Sequence, residues 1–327
     1  MNSRYVWALV AAFLCLPIYA AGQVVQGKAT FQTFSVPGTA VGLYNLSVQQ
    51  ISDTGFVSGT FTISSSPFSA EGFLRSPNGK TTILNDPKGN SPVFGPYTYG
   101  VGVNAFATVS GFYWDFTNLI FSGMFYQNGN FHTYNVPGLP TGSFTYIYGL
   151  NDLGAFCGFY QVPPGYTIVP YVNFAGKIDT NFNLPASVET LPYTVNDLGQ
   201  VAGSWFDSSG TEHGFVRNPG GKIIEIDVPG AGSSGTSAEG INNFGWVSGH
   251  FFDAPNNYEH GFVLSPQGVF YQIDVPGAAT NFPQGGTSGG ALNDEGVLVG
   301  HFDPADLSQP EQAYIATLKF YPRYFTH

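Results

Sequence analysis

The sequence predicts an all-β chain, and three observations predict it. The first is composition. Of 327 residues, 16% are aromatic and only 9% are charged, against about 25% charged in a typical globular protein. Glycine (43) and proline (23) are abundant, while the strong helix formers are scarce and Phe, Tyr, Val and Thr abound. An apolar share of 43% supplies a core and argues against disorder. The second observation is a repeat of about fifty residues. The third is that the two ends of the repeat array are complementary. Together they specify a six-bladed β-propeller of four-stranded blades, with an N-terminal strand completing the last blade.

Taken in order, the chain opens on an export signal. Arg4 precedes an apolar run from Tyr5 to Ile18, and Tyr19-Ala20-Ala21-Gly22 offers small residues for cleavage, which assigns residues 1–20 as a signal peptide. The run is short for a membrane span, and no second apolar stretch follows it. The domain expected to remain, residues 21–327, keeps a single cysteine, Cys157, so it holds no internal disulfide. A strand from about Phe31 to Val36 comes next, ending in Val36-Pro37-Gly38.

Six units follow. The recurring phrase is an apolar residue, an Asx pair and a glycine, as in Leu150-Asn151-Asp152-Leu153-Gly154, Val195-Asn196-Asp197-Leu198-Gly199, Ile241-Asn242-Asn243-Phe244-Gly245 and Leu292-Asn293-Asp294-Glu295-Gly296. Looser copies are Ile51-Ser52-Asp53-Thr54-Gly55 and Val103-Asn104-Ala105-Phe106-Ala107. Second glycines then fall at Gly59, Gly111, Gly158, Gly203, Gly249 and Gly300, in steps of 45 to 52 residues. Each unit holds four short strands, a to d. In the fifth they lie near Ser237–Ile241, Trp246–Phe252, His260–Leu264 and Val269–Val275. The a–b and c–d turns are tight and rich in Asn, Asp and Gly, as hairpins require. Unit six supplies a, b and c and then stops, so the early strand serves as its d. Ring closure of this kind removes an exposed sheet edge. The second glycines, each beside a large aromatic residue on strand b, read as points of close approach between sheets. Cys157 aligns with Ser58, Ser110, Ala202, Ser248 and Val299, which marks it as a small buried filler.

These phrases resemble the bacterial extracellular repeats of the HAF family, named for a His-Ala-Phe tripeptide. Here the tripeptide stands as His213-Gly214-Phe215 and His260-Gly261-Phe262, between runs such as Asn196 to Gly203 and Ile226-Asp227-Val228-Pro229-Gly230-Ala231. The resemblance covers about Phe31 to Leu318 and is strongest from Gly149 onward. Units one to three depart from it, with Glu71, Ser122 and Val169 at the histidine position. It implies a secreted or periplasmic location and carries no reaction.

The net charge of −11 argues against nucleic acid. Binding is expected on the longer d–a and b–c loops, which share one end of the ring. The candidate ligand-binding residues are Tyr97, Tyr99, Tyr146, Tyr148 and Tyr193, suited to stacking against sugar or peptide, with Asp115, Asp207, Asp253 and Asp303. The same carboxylates are weak candidates for Ca²⁺, and no cofactor is required. His250 and His301, near Asp253 and Asp303, are weak metal candidates. His213 and His260 repeat with the fold and are read as serving it. The expected function is a secreted binding module for carbohydrate or protein. The alternative is an extracellular carbohydrate-active hydrolase or lyase using a carboxylate at the channel mouth.

Overall fold

A computed structural model describes residues 23–42, 45–65, 68–182, 184, 187–254, 256–280, 285–306 and 308–322. The expected signal peptide and its cleavage point lie outside the described residues. Within them the fold is all-β, with one 3-10 turn at Pro87–Gly89, and no helix is long and apolar enough to cross a membrane.

Each repeat unit forms a four-stranded antiparallel sheet. Strands a to d run Leu46–Ile51, Val57–Ser65, Phe68–Arg75 and Thr81–Leu84 in unit one, and Thr98–Val103, Val109–Asp115, Ile120–Gln127 and Asn130–Tyr134 in unit two. Unit three has Phe144–Leu150, Phe156–Val162, Thr167–Phe174 and Lys177–Asp179; unit four has Glu189–Val195, Val201–Phe206, Glu212–Arg217 and Ile223–Ile226. Unit five has Ala231–Ile241, Val247–Asp253, Glu259–Leu264 and Phe270–Ile273, and a parallel bridge between Glu212 and Gly235 joins it to unit four. Unit six contributes Thr287–Leu292, Val297–Phe302 and Gln312–Leu318, and its fourth strand is Ala29–Phe34 from the start of the chain. One element was not expected. Val24–Gln26 lies parallel to the outer strand of unit five, as a fifth strand.

The d strands end earlier than the Val-Pro-Gly phrase suggests. The valine N–H is withdrawn from the ladder and donates instead to a buried threonine on the next a strand: Val136 to Thr145 (3.1 Å), Val228 to Thr236 (3.1 Å) and Val275 to Thr287 (3.0 Å). Proline then has no N–H to continue the sheet. The valines stay buried, so the phrase acts as an anchored corner.

The turn asparagines have two tasks. Asn242 Oδ1 accepts from Phe244 N and Trp246 N, closing its own turn as an Asx motif. Its Nδ2 donates to Asn293 O of the next unit at 3.1 Å. The same link runs from Asn104 to Asn151, Asn151 to Asn196, Asn196 to Asn242 and Asn293 to Ser52. A second series follows one residue later, where Ala105 N, Asp152 N, Asp197 N, Asn243 N and Asp294 N donate to Asp152, Asp197, Asn243, Asp294 and Asp53. The last link of each series returns from unit six to unit one. A narrow cavity of about 70 Å³ at this end is lined by residues of all six a strands, among them Gln50, Val103, Leu150, Thr194, Ile241 and Leu292. The repeated Asx pair is thus the staple between neighbouring units.

The strand b glycines mark close approach between sheets, as expected: a Cβ at Gly289 of unit six would lie 2.2 Å from Gly249 O. They also have a second purpose. A Cβ at Gly249 would sit 2.0 Å from Ser237 O, within the same sheet, and Gly59, Gly111, Gly158, Gly203 and Gly300 meet the matching a-strand carbonyls at 1.9 to 2.2 Å. This second approach is between strands a and b of one unit. It arises because every a strand slips register at this level. A strand c ring often covers the glycine, and the Tyr171 and Tyr314 hydroxyls donate to the Tyr146 and Ser288 carbonyls. On the other face, Ser58, Ser110 and Ser248 are fully buried and donate to the next unit's a strand, at Val101 O, Tyr148 O and Gly290 O. Cys157 is fully buried in that series, and burial pushes its thiol up to about 12, so it is an inert filler.

Candidate functional site

The register slips organise the site. They fall between Val48 and Gln50, Gly100 and Gly102, Ile147 and Leu150, Pro192 and Thr194, Ala238 and Gly240, and Gly289 and Leu292. A β-bulge turns its extra side chain out of the normal alternation. The residues so placed are Gln49, Val101, Tyr148, Tyr193, Glu239 and Gly290, each three places before Ser52 or the turn asparagine. Gln50 then bridges inward, with Nε2 on Tyr193 O (3.4 Å) and Oε1 accepting from Val103 N (3.2 Å).

One part of this bulge series is aromatic. Tyr99 stacks on Phe112 at 4.6 Å and Tyr146 on Phe159 at 4.4 Å, while Phe112 meets Tyr146 edge-on at 5.0 Å. Tyr148 joins Phe159 (5.8 Å) to Tyr193 (5.6 Å), so the wall is continuous from unit two to unit four. Such pairs contribute about 0.5–1.5 kcal/mol each beyond area burial. Tyr193 accepts a hydrogen bond from Ser204 Oγ at 3.1 Å. Burial, then neighbouring Tyr97, pushes the Tyr99 hydroxyl up to about 12, and burial raises Tyr146, Tyr148 and Tyr193 well above the usual phenol range. They are neutral donors at any physiological pH.

The other part is polar. His250 Nδ1 lies 3.7 Å from Glu259 Oε1 and 4.0 Å from Glu239 Oε1, with all three side chains between 12% and 18% exposed. Ser237 Oγ donates to Glu239 Oε1 at 2.8 Å. Burial pushes Glu239 up to about 7, and it raises Glu259 and Glu189 as well. Burial alone would lower His250, but Glu259 and then Glu239 outweigh it and raise the imidazole above its usual range. His301 goes the opposite way: burial, then His250, pushes it down to about 3, so it is neutral and accepts from Val48 N at 3.5 Å. The Glu239 charge adds to burial in raising the Tyr148 and Tyr193 hydroxyls.

The structure therefore gathers Tyr99, Tyr146, Tyr148, Tyr193 and His250 at one place. Tyr97 neighbours Tyr99 but its ring packs elsewhere, on Phe68 (5.6 Å) and Phe116 (5.7 Å). Three of the expected carboxylates are engaged in their own loops. Asp115 accepts from Thr117 N and Asn118 N, Asp207 from Ser209 and Thr211, and Asp253 from Tyr258 N. Asp303 is buried, with Oδ1 lacking a hydrogen-bond partner, and its charge reaches Glu259. Glu239 and Glu189 were not anticipated. The signal for Glu239 was its offset, three residues before Asn242, the same as Tyr148 before Asn151 and Tyr193 before Asn196.

Among the described residues, one group of three has ligand atoms close enough to share a metal, all within 4.8 Å of one another: His213, Glu225 and Asp227. It excludes both His250 and His301. The His213–Asp227 pair (3.0 Å) recurs in unit five as His260–Asp274 (2.7 Å), where Gln272 replaces Glu225. A contact that repeats between strands c and d belongs to the fold, as expected for these two histidines.

The titrations make stability depend on pH. Asp53, in the series of staples, is pushed up to about 7 by burial and then by Asp294. Groups with raised folded values, such as Asp53 and Glu239, bind protons more readily folded than unfolded, so stability falls as pH rises through about 7. The raised values of His213, His250 and His260 act in the same direction. His301 opposes them only below 6.5, the window in which its unfolded form gains a proton. We expect the protein to be about 1 kcal/mol more stable at pH 6.5 than at pH 8, after discounting for the solvent exposure of Asp53. That is roughly 2–4 °C in melting temperature. Asp53→Asn with Glu239→Gln should flatten the profile; an unchanged difference would refute the assignment.

No protein-family model and no curated protein matches this chain. Solved structures do. A mutant of AofleA from Arthrobotrys oligospora is similar over 90% of this chain and 85% of its own, at 14% identity and a TM-score of 0.50. The Aleuria aurantia lectin AAL, in complex with Fucalpha1-6GlcNAc, is similar over 87% of this chain and 99% of its own, at 12% identity and a TM-score of 0.50. At this identity the likeness concerns the fold alone: an all-β arrangement of small sheets, of the kind found in β-propeller lectins.

Proposed function

We propose that the chain is an exported six-bladed β-propeller, closed by its early strand, that binds carbohydrate where Tyr148, Tyr193 and Glu239 meet. The observation that carries this is the bulge ring, which turns two tyrosines and a carboxylate to the same level of the inner strands. Aromatic faces stack on the apolar faces of sugar rings, and a carboxylate with a hydroxyl beside it accepts and donates to sugar hydroxyls. The return of both Asx series from unit six to unit one supports closure of the ring. The lectin-like neighbours support the ligand class, and the HAF-like phrases support export. No cofactor is part of this reading.

Glycan-array binding followed by titration of the best ligand tests it. Tyr193→Ala and Tyr148→Ala should each weaken binding about tenfold or more, while Tyr97→Ala leaves it unchanged. Binding that survives both substitutions at wild-type strength would overturn the reading. A hydrolase is the second reading, favoured by one observation. Glu239 and Glu259 flank a single imidazole, and Glu239 is held near 7, where a carboxyl can act as a proton donor. Release of reducing ends from a bound glycan, lost in Glu239→Gln, would establish it.

A further inference from the structure

The aromatic wall does not stop at the inner strands. From Tyr146 it continues along the seam between units two and three, towards the d–a and b–c loops. Phe121 lies 5.1 Å from Tyr146 and 5.9 Å from Phe144, and Trp114 meets Phe121 at 4.9 Å and Phe144 at 6.0 Å. Phe144 in turn meets Tyr166 at 4.9 Å. Trp114, Phe121, Phe144 and Tyr146 are half-buried, and Tyr166 is 38% exposed. Tyr166 stands in the b–c loop of unit three at φ +50°, a conformation costly for a bulky side chain. Gln161 ties it to the wall: Nε2 donates to Tyr166 O at 2.9 Å, while Oε1 accepts from the Tyr146 hydroxyl at 3.3 Å.

The repeat shows that the fold does not require these rings. Phe121, paired with Trp114, holds the place that Glu212 takes opposite Phe206 and Glu259 takes opposite Phe252. Phe144, four residues before its bulge, corresponds to Glu189 in unit four and to Gly235 and Gly286 in units five and six. The same sheet therefore forms with carboxylates or no side chain at these positions, and the rings are left to serve something other than packing. Phe144 lies roughly 10–13 Å from Tyr148 along one strand, at about 3.4 Å per residue. A single sugar on Tyr148 and Tyr193 would leave the outer rings uncovered.

We infer that the ligand is an extended glycan chain, seated at one end on Tyr148 and Tyr193 and running over Tyr146, Phe121 and Phe144 to Tyr166. This rests on the carbohydrate reading above and specifies a chain of several sugars as its ligand class. The seam is continuous with that site, so one molecule covers both. Rings already fixed against one another lose little freedom when a ligand stacks on them.

The test is titration of the whole protein with size series, from two to six residues, of β-1,4-linked glucose, N-acetylglucosamine and mannose, and of the strongest binder on the glycan array. A proline-rich decapeptide is titrated beside them. For the sugar that binds, affinity should rise at least tenfold from dimer to hexamer. The rise should survive added salt, because stacking on neutral rings leaves no charge to screen. The hexamer should also change tryptophan emission. Among the described residues Trp205 and Trp246 are 7% and 3% exposed, so the response reports Trp114. Tyr166→Ala, on an exposed loop, should keep the melting temperature and lose at least threefold of the gain with length. Phe144→Glu, which installs the residue unit four carries there, should flatten the gain. Equal affinity from dimer to hexamer would overturn this inference and leave the carbohydrate reading standing. Binding of the peptide alone would overturn both, as would a silent array with no sugar bound. A length gain retained in both variants, or a hexamer that binds without changing the emission, would refute the placement on the seam.

Discussion

Deletion of residues 23–36 is expected to abolish cooperative folding. Ala29–Phe34 pairs along its full length with strand c of unit six, from Ala29 against Leu318 to Phe34 against Ala313. Without it, Gln312–Leu318 becomes a bare edge carrying Tyr314, Ala316 and Leu318, all buried in the intact protein. The deleted segment takes Phe31, edge-on to Tyr314 at 5.9 Å, and Phe34, whose ring lies 4.5 Å from the Arg75 guanidinium. Val36, 3% exposed, goes with them. Full burial of one such side chain is worth about 1.5–3 kcal/mol, a value that holds for Val36 and only in part for the half-buried Phe31 and Phe34, and the lost ladder bonds add about 0.5–1.5 kcal/mol apiece. The total approaches the ~5–15 kcal/mol that holds a whole domain together. An open edge of this kind also templates aggregation. The expected result is insoluble protein or a melt without a cooperative transition. A permutant that carries residues 23–42 after residue 322 should recover the wild-type melting temperature. Lys319 N already donates to Lys28 O at 2.8 Å, where the missing c–d hairpin would turn. A deletion that melts like the intact chain would show that the strand is dispensable.

What could be read from the residues followed the repeat. The repeated phrases located every a–b turn, because in five of the six units an asparagine both closes the turn and reaches the next unit, while in unit one Ser52 closes the turn and Thr54 reaches Ala105 O. The early strand was placed two residues late, at Phe31–Val36 in place of Ala29–Phe34, since the Val36 corner looks like strand in an alternation pattern. Val24–Gln26 escaped notice because it pairs in parallel with a strand some 250 residues away, and no local pattern marks such a partner. Asp115, Asp207 and Asp253 have the composition of ligand residues, yet each closes its own loop. A carboxylate followed at two to five residues by a free N–H reads the same in either role. Tyrosines at the mouth were legible because bulk and aromaticity stand out among small residues. Glu239 was not, because its exposure to the site depends on a bulge that alternation alone does not reveal.

That bulge yields the second large effect. Gly249→Ala places a methyl group 2.0 Å from Ser237 O and 3.0 Å from Glu239 N. Neither is the end of a flexible side chain, so strand a must move, and the residue it carries at the slip is Glu239. The expected cost is about 3–5 kcal/mol, in the range left by backbone clashes in a packed core, and the binding attributed to Glu239 should be lost with it. Glu239→Gln separates the two consequences, since it should keep the fold and lose only the charge-dependent part of binding. Gly220→Ala supplies the control: that glycine has a negative φ and nothing within 4 Å of the added carbon, so its stability should change by less than about 0.5 kcal/mol. The measurements are chemical denaturation and ligand titration on the three variants. If Gly249→Ala melts within 2 °C of the parent, the glycine is not holding the bulge open, and the geometric basis for a site at Glu239 falls with it. If it is destabilised while still binding normally, Glu239 is not where the ligand sits. The repeated glycine is then needed by the fold alone, whereas loss of both properties ties this close backbone contact directly to the one acidic bulge.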